Sequence, residues 1–149
     1  MGKMKEIISK YSIVALDTAI FIYHFEKSKT YFKLTKEIFS RLDENQDFSA
    51  ITSILTLLEV SVKPIEDSRN DLLKEYSDKL LYDNKLTTLM IQSDIAIKAA
   101  ELRAKYRLRT PDAIQIATSI IGKAGAFITN DIALKKVKEI EVLILDDFL

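Results

Sequence analysis

Short apolar runs, rich in β-branched residues, alternate along this chain with longer segments of helical periodicity. In two of these segments apolar residues recur every three or four positions, as in Leu34, Ile38 and Leu42 and in Ile95, Ala99, Leu102 and Tyr106. The apolar runs are residues 13–16, 48–51, 87–91, 126–129 and 142–145. Strands joined by helical crossovers must be parallel. The pattern therefore predicts a three-layer α/β/α domain around a central parallel sheet of about five strands.

Two segments do not belong to this simple alternation. Residues 66–84 are highly charged, and their pattern predicts an outer helix or a dimer arm with apolar residues on one side: Leu72, Leu73, Tyr76, Leu80 and Leu81. Residues 1–11 precede the first strand as a leader that is compatible with a short helix, whose packing the pattern does not fix. Because no repeat, linker or low-complexity tract divides the chain, residues 1–149 are interpreted as a single domain.

Composition narrows the possible chemistry. The chain is 48% hydrophobic and 30% charged, which is typical of a globular protein, and the absence of cysteine excludes disulfides, thiolate metal sites and cysteine nucleophiles. Its formal net charge of zero argues against a duplex-binding protein, so any contact with nucleic acid must use a local patch. Apolar runs are too short to span a bilayer and no export signal is evident, so we expect a cytoplasmic protein without a membrane partner.

Three aspartates occupy positions where ligands of parallel sheets commonly bind. Asp17 directly follows the run 13–16, Asp131 closely follows the run 126–129, and Asp112 begins a largely apolar helix. Ligands bind beyond the carboxyl ends of the strands where the strand order reverses, and a flavodoxin-like order would bring the first two together there. Each acid also has a simpler interpretation as a helix-start residue, since a carboxylate in a first helical turn stabilises the helix by ~0.3–1 kcal/mol through its interaction with the helix dipole. Thr110 as N-cap and Pro111 as first helical residue would account for Asp112 in this way.

Other candidate residues have ordinary interpretations that compete with functional ones. Glu59 shares a helical face with Thr52, Thr56 and Lys63, which by itself favours a solvent-facing stripe. Asp94 follows the potential cap Ser93, and the single histidine, His24, is interpreted as a helix residue rather than a ligand. The apolar helix after Asp112 has one polar stripe, formed by Asp112, Gln115 and Ser119. Five basic residues precede that helix and either hold a phosphate backbone or form a solvated face: Lys98, Arg103, Lys105, Arg107 and Arg109.

The clustered acids favour a hard cation. Carboxylate and water oxygens are the ligands that Mg²⁺ and Mn²⁺ take, and the chain offers no cysteine and a single histidine as softer alternatives. Its three glycines form neither a dinucleotide fingerprint nor a P-loop, which argues against a nucleotide cofactor. We therefore expect Mg²⁺ or Mn²⁺ if the acids converge.

Several motifs, taken in order, resemble the PIN-domain family, particularly the VapC-type toxins of toxin–antitoxin pairs. They are ALDTAIFIY at 15–23, residues 52–60 and 102–104, RTPDAIQIA at 109–117 and TND at 129–131. The resemblance implies a Mg²⁺- or Mn²⁺-dependent endoribonuclease with an acidic quartet at Asp17, Glu59, Asp112 and Asp131, and Thr129 as a supporting hydroxyl. It further implies an RNA substrate, a cognate antitoxin and a homodimer. One departure is Ala19, where many relatives carry Asn or Ser.

In the mechanism that this resemblance implies, Asp17, Asp112 and Asp131 bind one or two cations, and Glu59 completes the pocket through a water molecule. Two other functions remain open at the level of sequence. One is a non-catalytic module that binds RNA or a protein and keeps the acids as helix starts. The other, an acid-cluster phosphatase, is disfavoured because Thr18 and Ala19 stand where such enzymes usually place a second acid.

Overall fold

A five-stranded, all-parallel sheet lies at the centre of the computed structural model, which describes residues 2–149. Its strands are β1 (Ile13–Leu16), β2 (Ser49–Ser53), β3 (Leu86–Leu89), β4 (Ala126–Thr129) and β5 (Glu141–Ile144). The predicted parallel sheet is confirmed, with β2, β3 and β5 shifted by one or two residues. The strand order is β3-β2-β1-β4-β5 and not flavodoxin-like, but β1 pairs directly with β4, so the strands before Asp17 and Asp131 are neighbours as expected. The order reverses between these two strands.

Helices cover both faces of the sheet. On one side pack α1 (Lys3–Ile8), α2 (Thr18–Phe25), α3 (Phe32–Glu44), α4 (Ile54–Glu66) and α5 (Asn70–Tyr82), and on the other α6 (Ser93–Tyr106) and α7 (Thr110–Ile121). Because neighbouring side chains of a strand point to opposite faces, Val14 and Leu16 join the first layer and Ala15 joins the second. Two 3₁₀ helices, Ile132–Lys136 and Leu145–Phe148, follow β4 and β5. The three-layer α/β/α architecture is confirmed.

The leader contributes to the hydrophobic core. Helix α1 buries Met4 and Ile8 completely, and the backbone N–H of Lys5 donates to the Glu37 carboxylate on α3. The short helix that the sequence allowed therefore packs as part of the first helical layer. Within residues 2–149, no helix is both long and apolar enough to cross a bilayer.

Of the two interpretations of residues 66–84, the outer helix is confirmed over Asn70–Tyr82 and the dimer arm is wrong. Glu66 ends α4, the chain turns, and α5 then packs Leu72, Tyr76 and Leu80 into the core of the first layer. The Tyr76 hydroxyl donates to the Glu26 carboxylate at 2.7 Å, which satisfies the one polar group of a completely buried ring. The apolar side of this segment is consequently core surface rather than an exposed interface.

Substitution of two adjacent leucines measures how firmly α5 belongs to the core. Leu80 is 1% exposed, so Leu80→Ala should lower the free energy of unfolding by about 2–5 kcal/mol through lost burial and a residual cavity. Leu81 is 46% exposed, so Leu81→Ala should change it by only about 0.5 kcal/mol. Urea unfolding of both variants checks the difference. Equal losses would contradict the packing of α5.

Candidate active site

A cavity of about 520 Å³ opens at the carboxyl edge of the sheet, where the strand order reverses. Asp17 follows β1, Asp131 follows β4, Glu59 lies on α4 and Asp112 lies in the first turn of α7. All four line the cavity, together with Thr129, so the structure brings every sequence-predicted site residue to one place. The solvent-stripe interpretation of Glu59 is wrong, because Thr52 belongs to β2 and both Thr52 and Thr56 are buried.

Asp17 is the acid whose ionisation the fold perturbs most clearly. Its carboxylate accepts hydrogen bonds from the Thr18 backbone N–H at 2.8 Å and from the Thr129 hydroxyl at 2.7 Å. Burial raises the pKa of Asp17 to about 6, opposed by those two bonds and reinforced by the charges of Asp112 and Glu59. Asp17 thus caps α2, as a helix-start acid would, but in surroundings that disfavour its charged form.

Thr129 connects two of the acids. Its buried hydroxyl donates to Asp17 and accepts a hydrogen bond from the backbone N–H of Asp131 at 3.1 Å. The Asp131 carboxylate in turn accepts from the backbone N–H of Ala133 at 3.0 Å and so caps the first 3₁₀ helix. The supporting hydroxyl implied for Thr129 therefore has a defined contact, and it fixes the orientation of the Asp17 carboxylate.

The Asp112 carboxylate forms an ion pair with Arg109, the residue that directly precedes α7. The Nε atom of Arg109 lies 3.0 Å from Asp112 Oδ2, and the arginine side chain is 77% exposed while that of Asp112 is 15% exposed. Thr110 is not the N-cap that the sequence suggested. It is already the first residue of α7, and Arg109 occupies the cap position without accepting a capping hydrogen bond from a backbone N–H of the helix. The Arg109 guanidinium supplies positive charge at the mouth of the acidic cavity, close enough to interact also with Asp131 and Glu59.

Glu59 is held by a polar network that the sequence did not reveal. The Thr18 hydroxyl donates to Glu59 Oε1 at 2.6 Å, and behind it the buried side chains of Thr52, Thr56 and Gln115 are hydrogen-bonded to one another. The sequence indicates Gln115 only as part of a polar stripe, although a polar residue on a largely buried helix is the signal that could have identified it. The network places the Glu59 carboxylate at the cavity rather than in bulk solvent.

The remaining candidates lie elsewhere. His24 on α2 stacks against Phe32 and Phe39 of α3. Burial there lowers the pKa of His24 to about 4. Asp94 accepts a hydrogen bond from the Ile95 backbone N–H, and the N-cap of α6 is Gln92 rather than the predicted Ser93. Of the five basic residues, Arg109 alone lines the cavity, whereas Lys98 pairs with Glu101.

The donor set suits a hard divalent cation, although the side chains are not gathered around a single point. Four carboxylates and a threonine hydroxyl line the cavity, and all of these ligand atoms are oxygen. In the part of the chain that the structure describes, no three acid, histidine or cysteine side chains are grouped closely enough to hold a metal. A cation in this cavity would replace the positive charge that Arg109 provides to Asp112. The donor atoms and their charge therefore suit Mg²⁺ or Mn²⁺, whereas the spacing of the side chains that the structure describes does not yet form a closed coordination sphere.

Comparison with known proteins assigns the family. The PIN domain model matches residues 14–140, which include all four acids, and the chain belongs to the PIN domain family. No curated protein sequence matches the chain.

Solved structures of toxin–antitoxin systems share this fold. VapBC2 from Rickettsia felis, bound to a promoter DNA fragment, aligns with a TM-score of 0.67 at 16% identity over 89% of this chain and 98% of that one. A toxin–antitoxin complex from Klebsiella pneumoniae aligns with a TM-score of 0.64 at 20% identity, covering 89% and 97% of the two chains. DNA-bound VapBC from Salmonella typhimurium aligns with a TM-score of 0.61 at 18% identity, covering 89% of this chain and 97% of that one. These similarities establish a common fold over nearly the whole length of those chains.

Proposed function

We propose that this PIN-domain protein is a metal-dependent endoribonuclease that hydrolyses phosphodiester bonds of RNA in the cytoplasm. The observation that carries the proposal is the convergence of Asp17, Glu59, Asp112 and Asp131 on one cavity at the reversal point of a parallel sheet. Four acids around one cavity repel each other and also repel a phosphate, unless a cation lies between. Membership of the PIN family and the likeness to toxin–antitoxin structures support the same class of protein.

The residues have distinct roles in this proposal. Asp17, Asp112 and Asp131 would hold one or two Mg²⁺ or Mn²⁺ ions, with Thr129 keeping the Asp17 carboxylate turned toward them. When bound, such an ion lowers the pKa of a coordinated water molecule and neutralises charge on the departing oxygen. Glu59, held by Thr18, accepts a hydrogen bond from the attacking water and so orients it for in-line attack. The product would carry a 5′-phosphate.

Arg109 is suited to hold the substrate. Its guanidinium is largely exposed at the cavity mouth and is paired with an aspartate that the proposal assigns to the metal. With Asp112 assigned to the metal, the Arg109 guanidinium would be available to bind a phosphate oxygen of the RNA, for which its planar donors are well matched. Arg109 would then contribute to binding of RNA rather than to the chemical step.

Cleavage of a single-stranded RNA tests the proposal. Purified protein should cut the RNA in the presence of Mg²⁺ or Mn²⁺, and EDTA should stop the reaction. If EDTA-treated protein cuts as fast as metal-supplied protein, the mechanism is wrong. If the protein neither binds metal nor cuts RNA, the alternative of a non-catalytic PIN module is favoured, in which Asp17 and Asp131 serve only as helix caps.

The biological role that we propose is the toxin of a toxin–antitoxin pair, with an antitoxin protein as partner. Support comes from the structural neighbours, which are toxin–antitoxin complexes. A gene for a small DNA-binding protein directly upstream of this one would support the assignment, and a gene without such a neighbour would favour a solitary nuclease.

A homodimer is part of the same proposal, through a different surface from the one that the sequence suggested. Helix α4 exposes Leu58, Val62 and Ile65, with 62%, 49% and 62% of their surface accessible. Their i, i+4, i+7 spacing places them on one face of the helix. An apolar stripe of this kind is typical of a protein interface, and a symmetric dimer is the commonest assembly.

Charge on the α4 stripe should therefore prevent self-association. We expect wild-type protein to have a dimeric mass by light scattering at micromolar concentration, and the double variant Val62→Glu, Ile65→Glu to have a monomeric mass. Tyr82→Glu, at an exposed position on α5, serves as the control and should remain dimeric. A monomeric wild type would count against the dimer, and a dimeric double variant would assign the interface to another surface.

A further inference from the structure

Gln115 is a buried amide on an otherwise apolar helix, and the metal-ion chemistry proposed above gives it no role. Its side chain is 3% exposed and extends from α7 into the space between α2 and α4. The amide nitrogen Nε2 lies 2.9 Å from Thr56 Oγ1 and 3.3 Å from Thr18 Oγ1. One nitrogen therefore contacts two threonines, each of which belongs to a further hydrogen bond.

The directions of the bonds that link Gln115 to Glu59 and to Leu16 follow from the two ends of the network. The Glu59 carboxylate and the backbone carbonyl of Leu16 accept, so the hydroxyls of Thr18 and Thr52 donate to them, at 2.6 and 2.8 Å respectively. Thr52 has then used its hydrogen, so the 2.7 Å bond between Thr52 and Thr56 requires Thr56 to donate. The hydroxyl oxygens of Thr18 and Thr56 can each still accept, and the two hydrogens of the Gln115 amide are directed to them, which leaves no hydrogen for the 3.3 Å contact between the two hydroxyls.

We infer that Gln115 is a positioning residue, which fixes the Thr18 hydroxyl toward Glu59 and thereby holds the Glu59 carboxylate at the reactive cavity. Gln115 begins two chains of hydrogen bonds. One passes through Thr18 to Glu59, and the other passes through Thr56 and Thr52 to the carbonyl of Leu16, the last residue of β1. The catalytic consequence of this inference depends on the proposed ribonuclease function, whereas the effect on Glu59 itself does not.

Packing alone does not require a glutamine at this position. An apolar side chain of similar length would fill the same volume, while a buried amide must be matched by partners or it destabilises the fold. The network joins residues from β1 and α2, from β2 and α4, and from α7, which are the elements that meet beneath the cavity. A shared network of this kind restricts the Thr18 hydroxyl to one rotamer, and Glu59 then has a single preferred orientation.

The first test replaces Gln115 with Met, which has a similar length but no donor. The carboxyl ¹³C resonance of Glu59, assigned by its loss in Glu59→Gln, should shift or broaden in Gln115→Met without metal or RNA present. In the cleavage assay kcat should fall by about 10-fold to 100-fold, as is typical for residues that orient metal-site groups, with KM unchanged. Ser119→Ala is the control, because Ser119 is buried one turn further along α7 and bonds only the Gln115 backbone carbonyl. It should leave the resonance and kcat unchanged.

The second test guards against a folding defect at position 115. Thr18→Ser keeps the hydroxyl and should retain the Glu59 resonance and kcat, whereas Thr18→Val removes the hydroxyl and should reproduce both effects of Gln115→Met. A Glu59 resonance that is unchanged in folded Gln115→Met and Thr18→Val would overturn the inference. If the resonance shifts as expected but wild-type protein cuts no RNA, the inference stands and the proposed function fails.

Discussion

Replacing Asp112 with Asn should reduce metal-dependent RNA cleavage by about 10³-fold, because a divalent cation supplies several kcal/mol of transition-state stabilisation and each 1.36 kcal/mol changes the rate tenfold. Asp112 is placed for this role by the first turn of α7, where its side chain is 15% exposed at the cavity. An amide keeps the shape of the carboxylate but removes the charge that attracts the cation. The fold should persist, since the substituted side chain is partly accessible to water.

Asp71→Asn provides a matched control for this substitution. Asp71 also lies in the first turn of a helix and is also paired with an arginine, Arg69, but it lines no part of the acidic cavity. Its replacement should leave cleavage unchanged. Initial rates of both variants, measured at the Mg²⁺ or Mn²⁺ concentration that saturates wild type, make the comparison. Full activity of Asp112→Asn would remove Asp112 from the mechanism.

The second large effect is on the stability of the metal-free protein, which removal of a buried carboxylate should increase rather than decrease. Asp17→Asn should make the metal-free protein more stable than wild type near neutral pH, by up to about 3 kcal/mol for a pKa that burial raises from 3.8 to about 6. A raised carboxyl pKa means that the folded state favours the protonated form, so stability falls as the pH rises from about 4 through 6. An amide cannot ionise and avoids this loss, although its NH₂ group matches the Thr129 hydroxyl less well.

Thermal melts of metal-free protein at pH 4 and pH 7.5 measure this effect. The gain from Asp17→Asn should be present at pH 7.5 and nearly absent at pH 4. Asp71→Asn should change stability in the opposite direction, because the Arg69 guanidinium lowers the pKa of Asp71. A simple helix-start role for Asp17 predicts that Asp17→Asn leaves stability unchanged or lowers it slightly at both pH values.

The fold was predictable because its signals are local and periodic. The runs at 13–16 and 126–129 are apolar for their whole length, and the structure places β1 and β4 at those bounds. Asp17 and Asp131 could be assigned to one edge of the sheet because parallel strands share their carboxyl ends. The acid set itself came from the resemblance to PIN domains, and the structure adds that all four side chains line one cavity.

What the sequence did not predict depends on contacts between distant segments. The pairing of β1 with β4 is set by the crossover through α6 and α7, which no local pattern reports. The apolar side of α5 is indistinguishable in sequence from an exposed dimer surface, and burial of Tyr76 decides between them. Likewise Thr18, Thr56 and Gln115 are separated by up to 97 positions along the chain, so their hydrogen bonds have no sequence signature.

The central claim is that the acids around this cavity form a site for divalent cations, and direct titration with Mn²⁺ tests it. Free Mn²⁺ can be followed by electron paramagnetic resonance as it is added to metal-free wild type, Asp17→Asn, Asp112→Asn and the control Asp71→Asn. We expect saturable binding of one or two ions per chain by wild type and Asp71→Asn, and loss of that binding in the other two variants. Absence of saturable binding to wild type, or equal binding by all four proteins, would contradict the claim.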